Sequence, residues 1–120
     1  PELSRGLGDV YKRQKFTSFT TCDFLNEVDL DMFHQVVEAT APYWVEEMKK
    51  RGLLRWSMNR VWNSEGEVYR LIMVYEYKDE AAYKDNRAYI DNAFKKNEAF
   101  QKLKPTAKFA TSRCTVISEV

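Results

Sequence analysis

The stretch Phe16 to Leu25, FTSFTTCDFL, is rich in Thr and Phe and predicts a first strand. Leu30, Phe33, Val37, Ala41, Trp44 and Met48 then recur every three or four residues, which puts one apolar face on a helix. Asp29 is the predicted N-cap, with Asp31 in the first turn where the helix dipole favours an anion. Lys49-Lys50-Arg51 followed by Gly52 supplies the stop. Pro42 falls inside this run, and a mid-helix proline costs about 3 kcal/mol. A kink is therefore expected, or a restart with Thr40 as a new cap.

Two alternating stretches follow, Leu54 to Trp62 and Val68 to Tyr77, separated by Ser64-Glu65-Gly66-Glu67; this is a hairpin. Setting Asn63 opposite Val68 pairs Trp62 with Tyr69, Arg60 with Leu71, Met58 with Met73 and Trp56 with Tyr75. The same register sets Arg55 against Glu76, an opposite-charge pair that favours it. Asp79 caps a second helix carrying Ala82, Asn86, Tyr89, Ile90, Ala93 and Phe94 at helical spacing. Asn97 ends or restarts it, and Pro105 stops the run. Thr106 to Val120 alternates again and predicts a last strand.

The order β-α-β-β-α-β predicts an α+β domain of ferredoxin-like type, a four-stranded antiparallel sheet with two helices on one face and the second strand at an edge. Assigning Ile72 and Val74 to the helices leaves Trp56, Met58, Leu71, Met73, Tyr75 and Tyr77 pointing away from them; the reverse facing stays open. Several Trp and Tyr side chains at about 150–250 Å² each exceed the apolar patch a soluble monomer tolerates. A homodimer, sheet against sheet, is the expected consequence.

The junction Tyr75-Glu76-Tyr77-Lys78-Asp79-Glu80-Ala81-Ala82 resembles the pattern E-x-W-x-S/D-x-E-A of the antibiotic-biosynthesis-monooxygenase-like branch of the dimeric α+β barrel superfamily. Tyr77 stands at the aromatic position, Asp79 at the cap, and Tyr75 where Glu is common. The resemblance covers Lys15 to Val120 in element order and lengths. It implies a dimeric α+β barrel and a range of activities: cofactor-independent oxygenases, haem-degrading enzymes, isomerases and proteins without known activity. Fold therefore does not transfer function. Two departures matter. Asn86 stands where many members have His or Trp, and Phe94-Lys95-Lys96-Asn97 replaces the region where haem-degrading members carry a ligand histidine.

Candidate chemistry is sparse. Histidine is the side chain that ordinarily titrates near neutrality, so His34, the only one, is the candidate catalytic base. Its place next to Phe33, on the buried face, puts it at the flank or in solvent and favours a surface or capping role. Trp56, Arg60 and Tyr75 are the candidate substrate-binding residues, with apolar bodies and polar tips suited to a small hydrophobic or aromatic ligand. Packing explains them as well. Arg113 is a candidate anion anchor or a cross-strand ion-pair partner. No Ser-His-Asp set, Gly-rich phosphate loop or metal cluster is visible, so no cofactor or metal is expected. Cys22 and Cys114 fit no metal or redox spacing, and two free thiols point to a cytoplasmic setting.

The opening differs in character from the rest. Ser4 to Gln14, SRGLGDVYKRQ, resembles a translated sequencing adaptor, so residues 1–14 are expected to be a non-native tail and 15–120 a single domain. On that reading the natural start is missing, and a signal peptide ahead of Lys15 stays open. The formal charge of +1 belongs to Glu2, Arg5, Asp9, Lys12 and Arg13, leaving the domain neutral. With no Lys/Arg-rich face, nucleic acid is not an expected partner; with no long apolar run, neither is a membrane. The expected function is that of a cofactor-independent monooxygenase or isomerase acting on a small aromatic or polyketide-like substrate. The alternative is a non-catalytic ligand-binding or stress-associated barrel.

Overall fold

The computed structural model describes residues 13–120. The adaptor reading of residues 1–14 lies outside the described residues apart from Arg13 and Gln14. The elements are β1 (Phe16–Phe24), α1 (Glu27–Lys50), β2 (Leu53–Arg60), β3 (Tyr69–Tyr77), α2 (Glu80–Lys96), α3 (Glu98–Leu103), a 3₁₀ turn (Lys104–Thr106) and β4 (Ala107–Thr115). The sheet order is β2-β3-β1-β4, antiparallel throughout, which is the ferredoxin-like arrangement with β2 and β4 at the edges.

The six apolar positions of α1 read from the sequence are its six buried residues. Its cap differs. Asn26 Oδ1 accepts from the Asp29 N–H (2.9 Å), while Asn26 Nδ2 donates to Asp29 Oδ2 (2.9 Å). Asp29 is thus the third residue of the first turn; its N–H, left free by the helix, is satisfied by Asn26, and the return bond from the Asn26 amide fixes the cap. Pro42 neither breaks nor restarts α1. Thr40 donates its hydroxyl back to the carbonyls of Val36 and Val37 (both 3.2 Å) and accepts from Trp44 Nε1 (3.1 Å), so it cannot cap a new helix. Asn97 does both jobs foreseen for it: its N–H closes α2 on the Phe94 carbonyl, and its Oδ1 accepts from the Phe100 N–H (3.0 Å) to open α3.

The hairpin register is the expected one from Arg55↔Glu76 through Trp56↔Tyr75 and Met58↔Met73 to Arg60↔Leu71, with a bulge at Leu54. β2 ends at Arg60, and Trp62 is almost fully exposed, outside the ladder.

Which face the helices cover is the main correction. Leu71, Met73, Tyr75 and Tyr77 are buried in the core with Phe24, Phe33 and Trp44, so the aromatic face lies beneath the helices. The α1 stripe needs that bulk: Trp44 packs edge-on to Trp56 (4.9 Å), and Phe33 meets Phe24 (5.4 Å). Ile72 and Val74 instead belong to the open face. There Val74 sits opposite Phe19, Ile72 opposite Thr21, and Phe19 and Thr21 opposite Ser112 and Ala110. Ion pairs bound this patch at both ends, Arg70–Asp23 (2.6 Å) and Arg55–Glu76 (3.9 Å). The Arg70 guanidinium, bonded to Asp23 through two contacts, holds that carboxyl below its ordinary value.

Gly52 follows α1 with φ +98°, and a Cβ there would stand 2.6 Å from Ala82 Cβ. Its carbonyl accepts from the Lys78 N–H (3.0 Å), and Asn86 Nδ2 donates to the neighbouring Arg51 carbonyl (3.1 Å). The end of α1 is thereby fastened to the start of α2. Gly52→Ala combines left-handed strain with a backbone-level clash and should cost about 2–4 kcal/mol. The check is a lower urea midpoint with an unchanged m-value.

Candidate functional site

Between the helix-covered face and α2 lies a cavity of about 240 Å³. Its origin is legible in the side chains β1 offers to that face: Phe16, Ser18, Thr20, Cys22 and Phe24 are bulky at both ends and small in the middle. At one end Phe16 stacks on Tyr83 (4.5 Å) and meets Tyr77 (6.3 Å). At the other, Phe100 packs against Phe33 (5.6 Å) and Phe94 (4.5 Å). Over Ser18 and Thr20 nothing fills the space. Edge strand β4 closes the floor with Phe109, Thr111 and Arg113, and α2 forms the roof with Tyr83, Arg87, Ile90 and Phe94. Past Asp91 and Phe94 the hollow continues into an outer cleft beside Lys95 and Lys104.

The polar groups inside are mostly hydroxyls. Ser18 is 5% exposed and Tyr77 3%, and both line the hollow. The Tyr75 hydroxyl reaches the Met73 sulfur at 3.8 Å and has the Trp56 indole beside it on β2. Burial raises the pKa of both phenols, so they stay protonated and able to donate. Thr20 and Thr111 share a hydrogen bond (3.2 Å). At the rim, Arg113 donates through Nε to the Tyr83 hydroxyl, and Arg87 Nε faces Asp91 Oδ2 at 3.9 Å.

Of the residues singled out in the sequence, Tyr75 and Arg113 line this cavity. Trp56 is the cross-strand partner of Tyr75 and is held edge-on by Trp44; it stands behind the wall, its Nε1 buried without a partner. Arg60 reaches Glu27 (3.4 Å) and Asp31 (3.9 Å), tying the end of β2 to the first turn of α1. His34 lies on the outer side of α1 against Glu38 (3.2 Å), half exposed and away from the cavity. Its neighbour Phe33 takes the inward direction, and adjacent helical residues cannot share a face. Tyr83 and Arg87 were not singled out. They sit one step from the Ala82/Asn86 stripe, and the spacing 83, 87, 90, 94 was the signal for a second, cavity-facing stripe.

Cys22 is fully buried and its thiol is pushed up to about 12, by burial first and by Asp23 second, so it is inert. Cys114, on the open face, is also free. Among the described residues no three His, Cys, Asp or Glu side chains gather closely enough to hold a metal ion. No helix among them is long and apolar enough to cross a membrane.

The fold recurs in solved structures. A dimeric ferredoxin-like protein from an uncultured marine organism is 60% identical, with a TM-score of 0.83 over 89% of this chain and 99% of its own. A second dimeric ferredoxin-like protein of the same kind of source is 26% identical, with a TM-score of 0.77 over 92% and 94%. A monooxygenase from Streptomyces coelicolor, solved in complex with nanaomycin D, is 15% identical, with a TM-score of 0.61 over 90% and 92%, a likeness of fold alone. The ferredoxin-like fold and the structural likeness to antibiotic-biosynthesis monooxygenases, both expected from the sequence, therefore hold. No curated protein matches. A family model matches residues 13–116, and the chain belongs to the family described as "Domain of unknown function (DUF6974)".

Proposed function

We propose that the chain forms a homodimer through its open sheet face, and that each protomer binds one small, flat, oxygenated aromatic molecule in the cavity between sheet and helices. One observation carries the binding reading: three hydroxyl-bearing side chains, Ser18, Tyr75 and Tyr77, line one aromatic-walled hollow. A hydrogen bond from one of these hydroxyls to a ligand oxygen would contribute about 0.5–1.5 kcal/mol. Aromatic walls at either end suit a planar ring. The dimer reading is supported by the apolar centre of the open face, Phe19, Ile72 and Val74, and by the dimeric state in which the 60% identical relative is described.

A second reading, cofactor-independent monooxygenase, is favoured by the Arg113–Tyr83 pair beside the hydroxyls, which would stabilise an anionic ring. The substrate's own activated CH₂ would be oxidised to C=O, with one atom of O₂ entering the carbonyl and the other leaving as water. Against it stands the lack of an imidazole in the cavity, whose carboxylate, Asp91, sits at the rim beside Arg87.

Calorimetric titration with 2-naphthol tests the binding reading, and oxygen uptake with an anthrone tests the second. Ile90→Trp fills the roof of the cavity and should weaken 2-naphthol binding about tenfold or more, with stability changed by roughly 1 kcal/mol or less. Undiminished affinity would place the ligand elsewhere.

A further inference from the structure

The cavity has a polar axis, and it gives the ligand a direction. Arg113 on β4, Ser18 on β1, Tyr75 on β3 and Trp56 on β2 are successive cross-strand partners in one row across the covered face. The row runs from a cation at the open edge, through two hydroxyls, to the indole of Trp56 behind the wall. Arg113 and Tyr75 are separated by two strand spacings, about 10 Å at the backbone. Side chains converging from both ends leave between them the length of one or two fused substituted rings.

The charges agree with this direction. The ionisable side chains at the rim and outer cleft are Arg87, Lys95, Lys104 and Arg113 against a single carboxylate, Asp91. That carboxylate faces Arg87. Arg113 faces no carboxylate within ion-pair distance among the described residues; Tyr83 occupies its Nε, and the two terminal nitrogens of the fork stay available. In a domain of no net charge, this local excess of cations draws anions to the mouth and repels amines. A planar guanidinium edge matches a carboxylate through two parallel hydrogen bonds. The volume sets the size. An engineered cavity of about 150 Å³ holds benzene, so one of about 240 Å³ takes one ring with substituents or a fused pair.

Resting on the reading that this cavity holds a flat aromatic molecule, we propose that the molecule is a hydroxylated aromatic carboxylic acid of one or two rings. Its carboxylate lies on Arg113 at the mouth, and its hydroxyl lies inward among Ser18, Tyr75 and Tyr77. An amine would meet the cationic mouth.

The test is calorimetric titration of the intact chain with 6-hydroxy-2-naphthoate, its carboxamide and 2-naphthol. The acid should bind about tenfold or more tightly than the amide, and the advantage should shrink as salt rises. Arg113→Gln should abolish the acid-to-amide ratio. Arg113→Lys, which keeps the charge and loses the fork, should restore part of it. Melting curves of both variants report whether this exposed edge position leaves the fold intact. An acid that binds no better than its amide, or a ratio untouched by Arg113→Gln, overturns the proposal. If 2-naphthol and the amide still bind in that case, the cavity reading stands without the acid. If none of the three binds, the cavity reading fails and takes the proposal with it.

Discussion

Replacing Phe33 with alanine should cost the folded state about 3–5 kcal/mol, the range for emptying a buried phenylalanine site. Phe33 is fully buried at the point where four elements meet. Its ring lies 5.4 Å from Phe24 on β1, 5.6 Å from Phe100 on α3 and 5.9 Å from Phe109 on β4. None of these rings can follow a retreating side chain without leaving its own contacts, so the void would stay open and its lining would lose dispersion contacts. A domain this size is held by about 5–15 kcal/mol, so the loss is a large fraction of the whole. Urea denaturation monitored by circular dichroism reads it directly. The same substitution should weaken ligand binding, because Phe100 and Phe109 form one end of the cavity. A loss below roughly 1 kcal/mol would mean that the aromatic cluster repacks freely, against the rigid cavity wall described above.

Val74→Arg should convert the dimer to a monomer without unfolding it. Val74 is at the centre of the open face, beside Phe19 and Ser57, and contributes little to the core beneath the helices. A two-fold interface repeats every residue, so one substitution sets two guanidinium groups into the same dehydrated seam. Like charges so placed cost several kcal/mol, which raises the dissociation constant about a thousandfold. Sedimentation velocity at micromolar concentration should show a dimer for the wild type and a folded monomer for the variant. A wild-type monomer, or a variant that remains dimeric, would move the interface away from this face.

Much of the fold was legible because its signals are local. The α1 stripe, the helix caps at Asp79 and Asn97, and the charge pair Arg55–Glu76 each specify a backbone state within a few residues. The facing of the sheet was not local. Alternation separates Tyr75 from Val74 but does not say which side a distant helix will cover. That choice is made by volume: Leu30, Phe33, Val37, Trp44 and Met48 need a bulky counterpart, and Ile72 with Val74 could not supply it. The homodimer expectation therefore rests on a different face from the one that first suggested it. The Asp29 cap missed for a smaller reason, since Asn26 stands three residues earlier with the same chemistry and claims the N–H of Asp29.

The site was half legible. Tyr75 and Arg113 stood out as amphipathic or charged residues on strands, and both border the cavity. His34 and Arg60 were equally conspicuous in composition, yet one pairs with Glu38 on the outer side of α1 and the other with Glu27 and Asp31. Ser18 and Thr20 carried no signal of their own. They matter because they are small, and a hollow above two small residues exists only once three strands and a helix surround it.

Whether the space above Ser18 and Thr20 is a ligand site is read most directly from a crystal structure of the protein grown with 2-naphthol. The expected result is a planar ligand between Tyr83 and Phe94, its oxygen within hydrogen-bonding distance of Ser18, Tyr75 or Tyr77. A cavity closed by its own side chains, with the ligand elsewhere or absent, would contradict it.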